Sequence, residues 1–315
     1  MSQLGYTVTR LLQIIPTFLI VMAVVFFLIR LLPGDPASAM LGDRGSDAAV
    51  AKLYEEMGLG EPLIVQFGLF VRRAFAGELG ESIILHLPVY DVIIERIQVT
   101  VYLAIYSAIL SILIAVPLAV IAAYNRDSLV DHAIRIVAQI GLSSPVFFVG
   151  LVILTFFAAK LRWFPVGGYA DNFVENLTYL FLPALSLALY QATILVRSLR
   201  SSVIDILKAD FVEFAEAKGL GRTTIILRYV LRNAMIPTIT LIGINIGYLV
   251  GGAVITETVF GIPGAGRLMV DSIFGRDYPV IQGLALAFAL LVSLVFLLTD
   301  LIVAWLDPRV RDYRT

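Results

Sequence analysis

Long apolar stretches alternate with shorter polar ones along the chain, and the stretches have the length of a membrane crossing. A helix rises about 1.5 Å per residue, so about 20 mostly apolar residues cross a hydrocarbon core roughly 30 Å thick. Six stretches qualify: 11–32, 99–124, 136–159, 177–196, 235–256 and 281–306. Each predicts a transmembrane helix. Pro16, Pro117, Pro145, Pro183 and Pro237 fall inside them or at their ends, which membrane helices tolerate when neighbouring groups satisfy the freed carbonyls. The first stretch follows Arg10, as the core of a signal peptide would. It is too long for one and no small-residue cleavage site follows, so it reads as a retained first span. The expected fold class is an all-α polytopic membrane protein with about six spans.

Composition removes the soluble alternatives. Of 315 residues, 59% are hydrophobic and 15% charged, where soluble domains hold about 45–50% and 25%. A net charge of -1 offers nucleic acid no electrostatic footing. With no cysteine there is neither a disulfide framework nor a cysteine metal site. His86 and His132 lie far apart and outside the apolar stretches. That is too few ligands for a metal site, and both read as ordinary surface or interface residues.

Lysine and arginine set the orientation. The tails and the two short even-numbered loops carry Arg10, Arg126, Arg135, Arg197, Arg200, Lys208, Lys218, Arg222, Arg228, Arg232, Arg309, Arg311 and Arg314. The short odd-numbered loops carry Lys160, Arg162, Arg267 and Arg276. The first loop is too long for its charges to count, so both termini are expected in the cytoplasm. The division that follows is a tail and first span over 1–32, a long outer loop over 33–98, a five-helix core over 99–306 with a cytoplasmic loop at 197–234, and a cytoplasmic tail over 307–315. The outer loop holds helical-looking pieces at 47–57 and 63–76 and a Gly-rich stretch at 77–82. A structureless loop of that length is uncommon, so it is expected to fold over the outer mouth. No internal repeat or low-complexity tract occurs.

The fourth loop is amphipathic. Phe211, Phe214 and Ala217, then Ile225, Ile226, Tyr229 and Val230, recur at helical spacing on either side of Gly219–Leu220–Gly221. The pattern predicts a helix–turn–helix unit with Thr223 as cap of the second helix. An apolar stripe outside the membrane calls for a protein or lipid surface to cover it.

Here the residues carry a family resemblance. Glu213-Phe-Ala-Glu-Ala-Lys-Gly219 resembles the EAA loop of ABC importer permeases. The general pattern continues with an Ile-x-Leu-Pro; this chain has Tyr229-Val-Leu-Arg232, without the proline, and Pro237 follows. That form is similar to the peptide-permease branch. Leu32-Pro-Gly-Asp-Pro36, Glu257-Thr-Val-Phe-Gly-Ile-Pro-Gly-Ala-Gly-Arg267, Arg276-Asp-Tyr-Pro-Val-Ile-Gln-Gly283 and Asp307-Pro-Arg309 resemble the B-type permeases for dipeptides, oligopeptides and nickel, in the right order over nearly the whole chain. The resemblance implies the type I importer fold and a coupling helix seated in a groove of an ATPase subunit. It places Glu213, Ala215, Lys218, Gly219, Leu220 and Gly221 at or near that contact. The implied partners are a second permease (a paralogue), two ATP-binding subunits that hold ATP and Mg, and an extracytoplasmic binding protein, all in a bacterial or archaeal cytoplasmic membrane. The implied cargo is a peptide; relatives in this branch also carry glutathione, nickel complexes and sugars.

Other residues leave alternatives open. Gly219–Gly221 also reads as a plain helix cap and turn. Leu32–Pro36 is a membrane exit turn, or with Asp35 part of an outer gate. Gly243, Gly247 and Gly251, spaced by four, suit close helix packing or a lining of the path. Gln191 and Asn245 either line the path or hold helices together. Glu257 stands at the outer end of the fifth span, as a gate or a contact for the binding protein, and Asp300 is the clear intramembrane acid, read as structural.

No Gly-x-x-x-x-Gly-Lys-Ser/Thr is present, so this chain cradles no nucleotide as a P-loop does and is not itself an ATPase. A secondary transporter would bring repeats and midplane ion sites, which are not found. An intramembrane enzyme would need two membrane acids for a di-aspartyl site, or a histidine inside a span for a serine or metal site. A pure scaffold leaves the fourth loop unexplained. Six helices are a thin wall for a peptide-sized path, which favours a pore shared by two permeases.

Overall fold

A computed structural model describes residues 3–30, 47–56 and 58–306. Among these, the regular elements are helices, with one isolated β-bridge between Glu81 and Pro88. Four helices are long and apolar enough to cross a membrane, a fifth candidate is a bent pair, and a shorter apolar stretch runs over Leu12–Phe27. The Leu32–Pro36 and Asp307–Arg309 motifs, including Asp35, lie outside the described residues.

By internal contacts the chain divides into two units. One holds the described residues before Val101 together with Pro263–Leu294. It contains α1 (Gln3–Arg30), α2 (Asp47–Glu56), α3 (Leu63–Ala76), the start of α4 (Val89–Tyr124), α12 (Ala265–Gly275) and the start of α13 (Tyr278–Leu306). Phe26 of α1 sits between Phe67 and Phe70 of α3, with ring centroids 5.3 and 5.8 Å away. Gln66, buried in α3, donates to the carbonyls of Glu61 (2.8 Å) and Leu59 (3.3 Å) and so ties down the turn before its own helix. Val89 and Ile93 of α4 pack on Ala265, Val280 and Leu284.

The other unit runs from Val101 to Ile262 with the end of α13 from Val295. It contains the rest of α4, α5 (Leu129–Ser143), α6 (Val146–Ile153) with a π-helical extension over Leu154–Lys160, α7 (Phe173–Tyr179), α8 (Phe181–Ile206), α9 (Asp210–Ala217), α10 (Arg222–Thr224), a π-helical turn over Ile225–Val230, and α11 (Leu231–Val259). Helix α8 is its centre: Leu182, Leu187, Leu195, Leu199 and Val203 are buried along it, and α5, α6 and α11 pack around it.

The third predicted span is not one straight helix. Helices α5 and α6 meet at a 103° bend. Pro145 supplies no N–H, and the residue before a proline is pushed out of helical geometry. Ser144 accordingly has φ -88° and ψ 128°. Just before the break the hydroxyls of Ser143 and Ser144 donate back to the carbonyls of Gln139 (3.0 Å) and Ile140 (2.9 Å).

The fourth loop also differs from the expected helix–turn–helix. Helix α8 continues ten residues past the predicted end of the fourth span, through Ile206. The expected second helix is the beginning of the fifth span, because Arg222 to Val259 is helical without interruption. Thr223 lies inside α10 and is not its cap; Gly221, extended at φ -66° and ψ 145°, takes that position.

Candidate functional site

The region between α8 and α10 is a short helix pinned on one face and open on the other. After Ile206 the chain turns tightly, with Leu207 and Ala209 N–H donating to the carbonyls of Val203 (2.9 Å) and Ile206 (3.0 Å). Ala209, in extended geometry, starts α9. Asp210 and Glu213 occupy its first turn, where the helix dipole favours negative charge.

Val212 and Ala215 point inward, 1% and 3% exposed. They join Ala119 and Ala123 of α4, Leu199 and Val203 of α8, Ile225 and Val230 of the π-helical turn, and Ala234 of α11. One short helix thus presses on three long ones. The expected stripe of Phe211, Phe214 and Ala217 faces the other way: Phe211 and Phe214 are 43% and 61% exposed and Ala217 is exposed. Small side chains let the helix seat closely on the bundle, so the bulky ones stand outward.

The end of α9 is fixed by its backbone. Gly219 has φ +75°, and its N–H donates to Glu216 O (2.8 Å) while Leu220 N–H donates to Ala215 O (3.3 Å). These are the two bonds of a Schellman cap. Leu220 then packs half-buried on the same core. Lys218 folds its ammonium over the Phe214 ring at 4.5 Å, and the Arg222 guanidinium stands 4.5 Å over Tyr124. Glu213, Lys218, Gly219 and Gly221 are exposed, Leu220 is half-buried and Ala215 is buried. Gly219 thus belongs to the cap of α9, and it is exposed.

The other predicted residues scatter. Gly243 packs against Thr299 of α13: a Cβ there would collide with its Oγ1, Cγ2 and Cβ. At Gly243 the close-packing alternative applies. Gly247 is half-buried, and Gly251 lies in a part of α11 whose side chains are not described. Among the described residues, Gln191, 3% exposed, has no partner for its Oε1, and half-buried Asn245 has none for its Nδ2. Glu257 is fully buried in the last turn of α11. Asp300 is half-buried in α13. His86 and His132 are exposed, and no group of three or more metal-ligating side chains occurs among the described residues.

Two polar clusters were not anticipated. Asp277 is 1% exposed and accepts from the Ser82 hydroxyl (2.5 Å) and from the backbone N–H of Ile83 (3.2 Å) and Ile84 (3.3 Å). Asp131, fully buried in α5, accepts from Arg200 Nε of α8 at 2.6 Å and from a second guanidinium nitrogen. Its signal was in the sequence: Ser128-Leu-Val-Asp131 is a helix-start pattern, and Ser128 Oγ accepts from Asp131 N–H at 3.3 Å.

Comparison with known proteins decides the family. The binding-protein-dependent transport system inner membrane component matches residues 115–312, and the N-terminal part of that membrane component matches residues 3–104. The chain belongs to this family of ABC transporter permeases. The permease is 37% identical over 309 residues to a probable peptide ABC transporter permease of Sinorhizobium fredii, covering 97% of this chain and 99% of that one. It is 38% identical to a glutathione transport system permease of Salmonella choleraesuis, covering 98% and 99%. A dipeptide transport system permease of Alkalihalophilus pseudofirmus is 34% identical over 98% of this chain and 99% of its own. Among solved structures the permease resembles a chain of the inward-facing MetNI methionine ABC transporter, with TM-score 0.59 at 16% identity, over 69% of this chain and 96% of that one. The permease is a multi-pass protein of the cytoplasmic membrane and a transport component, not an ATPase.

Proposed function

We propose that this permease forms half of the membrane path of an importer for short peptides, and that α9 is the part on which an ATP-binding subunit pushes. The observation that carries this is the two-faced seating of α9. Its inner face is locked to α4, α8 and α11, and its outer face offers two exposed phenylalanines beside Glu213 and Lys218. A surface moving against Phe211 and Phe214 would carry three spans with it. On this reading Val212, Ala215 and Leu220 transmit the motion, and Gly219 and Gly221 give the turn its shape.

ATP and Mg bind to two partner subunits and none of this chain's residues holds a cofactor. The distribution of Lys and Arg supports a cytoplasmic position for α9 and for both termini. A second permease, a paralogue, completes the path. Gln191 and Asn245, a buried acceptor and a donor without partners among the described residues, are assigned to that shared path. Asp35 and Glu257 are assigned to the outer side, where an extracytoplasmic binding protein delivers the cargo.

The peptide reading rests on relatives named for peptide and dipeptide transport. Glutathione, itself a small peptide, is the second reading, because relatives of equal identity are named for it. The test is ATP hydrolysis by the assembled transporter in proteoliposomes, with its binding protein and one candidate cargo at a time. Stimulation by di- or oligopeptides, or by glutathione, supports the respective reading. Stimulation by a nickel complex or a sugar alone rules out both.

A further inference from the structure

Helices α5 and α8 pack along their length: Ile134 lies against the cluster of Ala192, Leu195 and Val196, Arg200 holds Asp131, and a Cβ on Gly141 would stand 2.7 Å from Thr193 Cγ2. Beside these contacts lies a cavity of about 730 Å³ lined by both helices. Arg126, Arg135, Arg197 and Lys208 line it together with Ile136, Leu142 and Val196.

The charges do not cancel within the cavity. Arg200 is committed to Asp131, and Arg126 stands 3.2 Å from Asp127. Arg135, Arg197 and Lys208 have no ion pair among the described residues, and Asp205 is the one further acid in the lining. On α8 and the turn after it, Arg197 and Lys208 stand three turns apart, roughly 16 Å at the rise of an α-helix, with Thr193 and Val196 lying beyond Arg197. On α5 the apolar wall continues outward, with Ile136, Val137 and Ile140 exposed by 60%, 67% and 61%.

We infer that this slot binds an anionic phospholipid, with the headgroup phosphate on Arg135 and Arg197 and an acyl chain along Ile136 and Leu142. Arginine forks match phosphate oxygens in paired hydrogen bonds, and cationic pockets between membrane helices suit anionic headgroups. A bare phosphate ion would use the arginines and leave the apolar wall and most of the volume unexplained. The inference requires only that this end of α5 and α8 lie at a membrane surface, so it stands apart from the peptide and coupling readings. An occupied slot would brace α5 against α8 at the root of α9.

The test is native mass spectrometry of the whole detergent-purified transporter, incubated with phosphatidylglycerol, phosphatidylcholine or inorganic phosphate. Wild type is expected to keep phosphatidylglycerol under conditions that strip phosphatidylcholine. The Arg135→Gln/Arg197→Gln variant is expected to hold it roughly tenfold more weakly, with no change in melting temperature. Lys160→Gln/Arg162→Gln, which removes two cations outside the slot, is expected to bind as wild type. Equal retention by both variants overturns the inference. So does displacement of phosphatidylglycerol by an equal concentration of inorganic phosphate, which would make this a free-anion site. A cross-link from the slot to a helix of the second permease would overturn it as well.

Discussion

Asp277 shows how much one side chain can fix. Its carboxylate gathers a hydroxyl and two backbone N–H groups from Ser82–Ile84 at the junction of α12 and α13. It sits in the Arg276-Asp-Tyr-Pro motif, whose wording gives no hint of this, because the partner lies almost two hundred residues earlier in the chain. Hydrogen bonds to a charged group are worth about 1.5–3 kcal/mol, and buried donors left unpaired add their own penalty. Asp277→Ala should therefore cost about 3 kcal/mol or more, seen as a lower melting temperature of the purified protein. Gly243 makes the opposite kind of contact, a place where nothing fits. Gly243→Ala should destabilise the chain, and Thr299→Gly in the same molecule should restore part of the loss, since the three atoms a Cβ would meet, Oγ1, Cγ2 and Cβ, all belong to the Thr299 side chain. A double-mutant cycle measures that coupling directly; additive effects would place the two helices further apart than described here.

The elements divide into those readable from hydropathy and those that are not. Apolar runs were legible because hydrocarbon imposes a minimum length on every span. The continuation of α8 was not, because Arg197, Ser198, Arg200, Ser201 and Ser202 look like a loop by polarity. Leu195, Leu199 and Val203, four residues apart and all buried, were the quieter signal that the helix goes on. The bend between α5 and α6 turned on Pro145, one of several span prolines, and sequence alone does not say which of them breaks its helix. For α9 the helix and its glycine stop were legible but the direction of its faces was not. The stripe of Phe211, Phe214 and Ala217 called for a covering surface without saying which, and the bundle takes Val212 and Ala215. The exposed stripe makes a prediction at this scale. Phe211→Ala/Phe214→Ala should weaken capture of the ATP-binding subunit at least tenfold while leaving the melting temperature nearly unchanged. Ala215→Leu, which overpacks a buried position, should lower the melting temperature by the equivalent of about 1–3 kcal/mol.

For the whole molecule, the central claim is that α9 joins the spans to an external source of work. Everything the claim needs from this chain is local: a seated inner face, an open outer face, and a cap at Gly219 that only glycine adopts without strain. A side chain forced into the left-handed conformation costs roughly 1–2 kcal/mol, and a Cβ at Gly219 meets no neighbouring atom, so a substitution there should distort the turn and leave the core intact. The most direct measurement is a pull-down of the tagged permease from solubilised native membranes, wild type beside Gly219→Asp. Wild type should bring down an ATP-binding subunit and a second permease, and the variant should lose the first and keep the second. Recovery of the ATP-binding subunit in equal amount with both proteins, or with neither, would contradict the assignment of α9 as the coupling element.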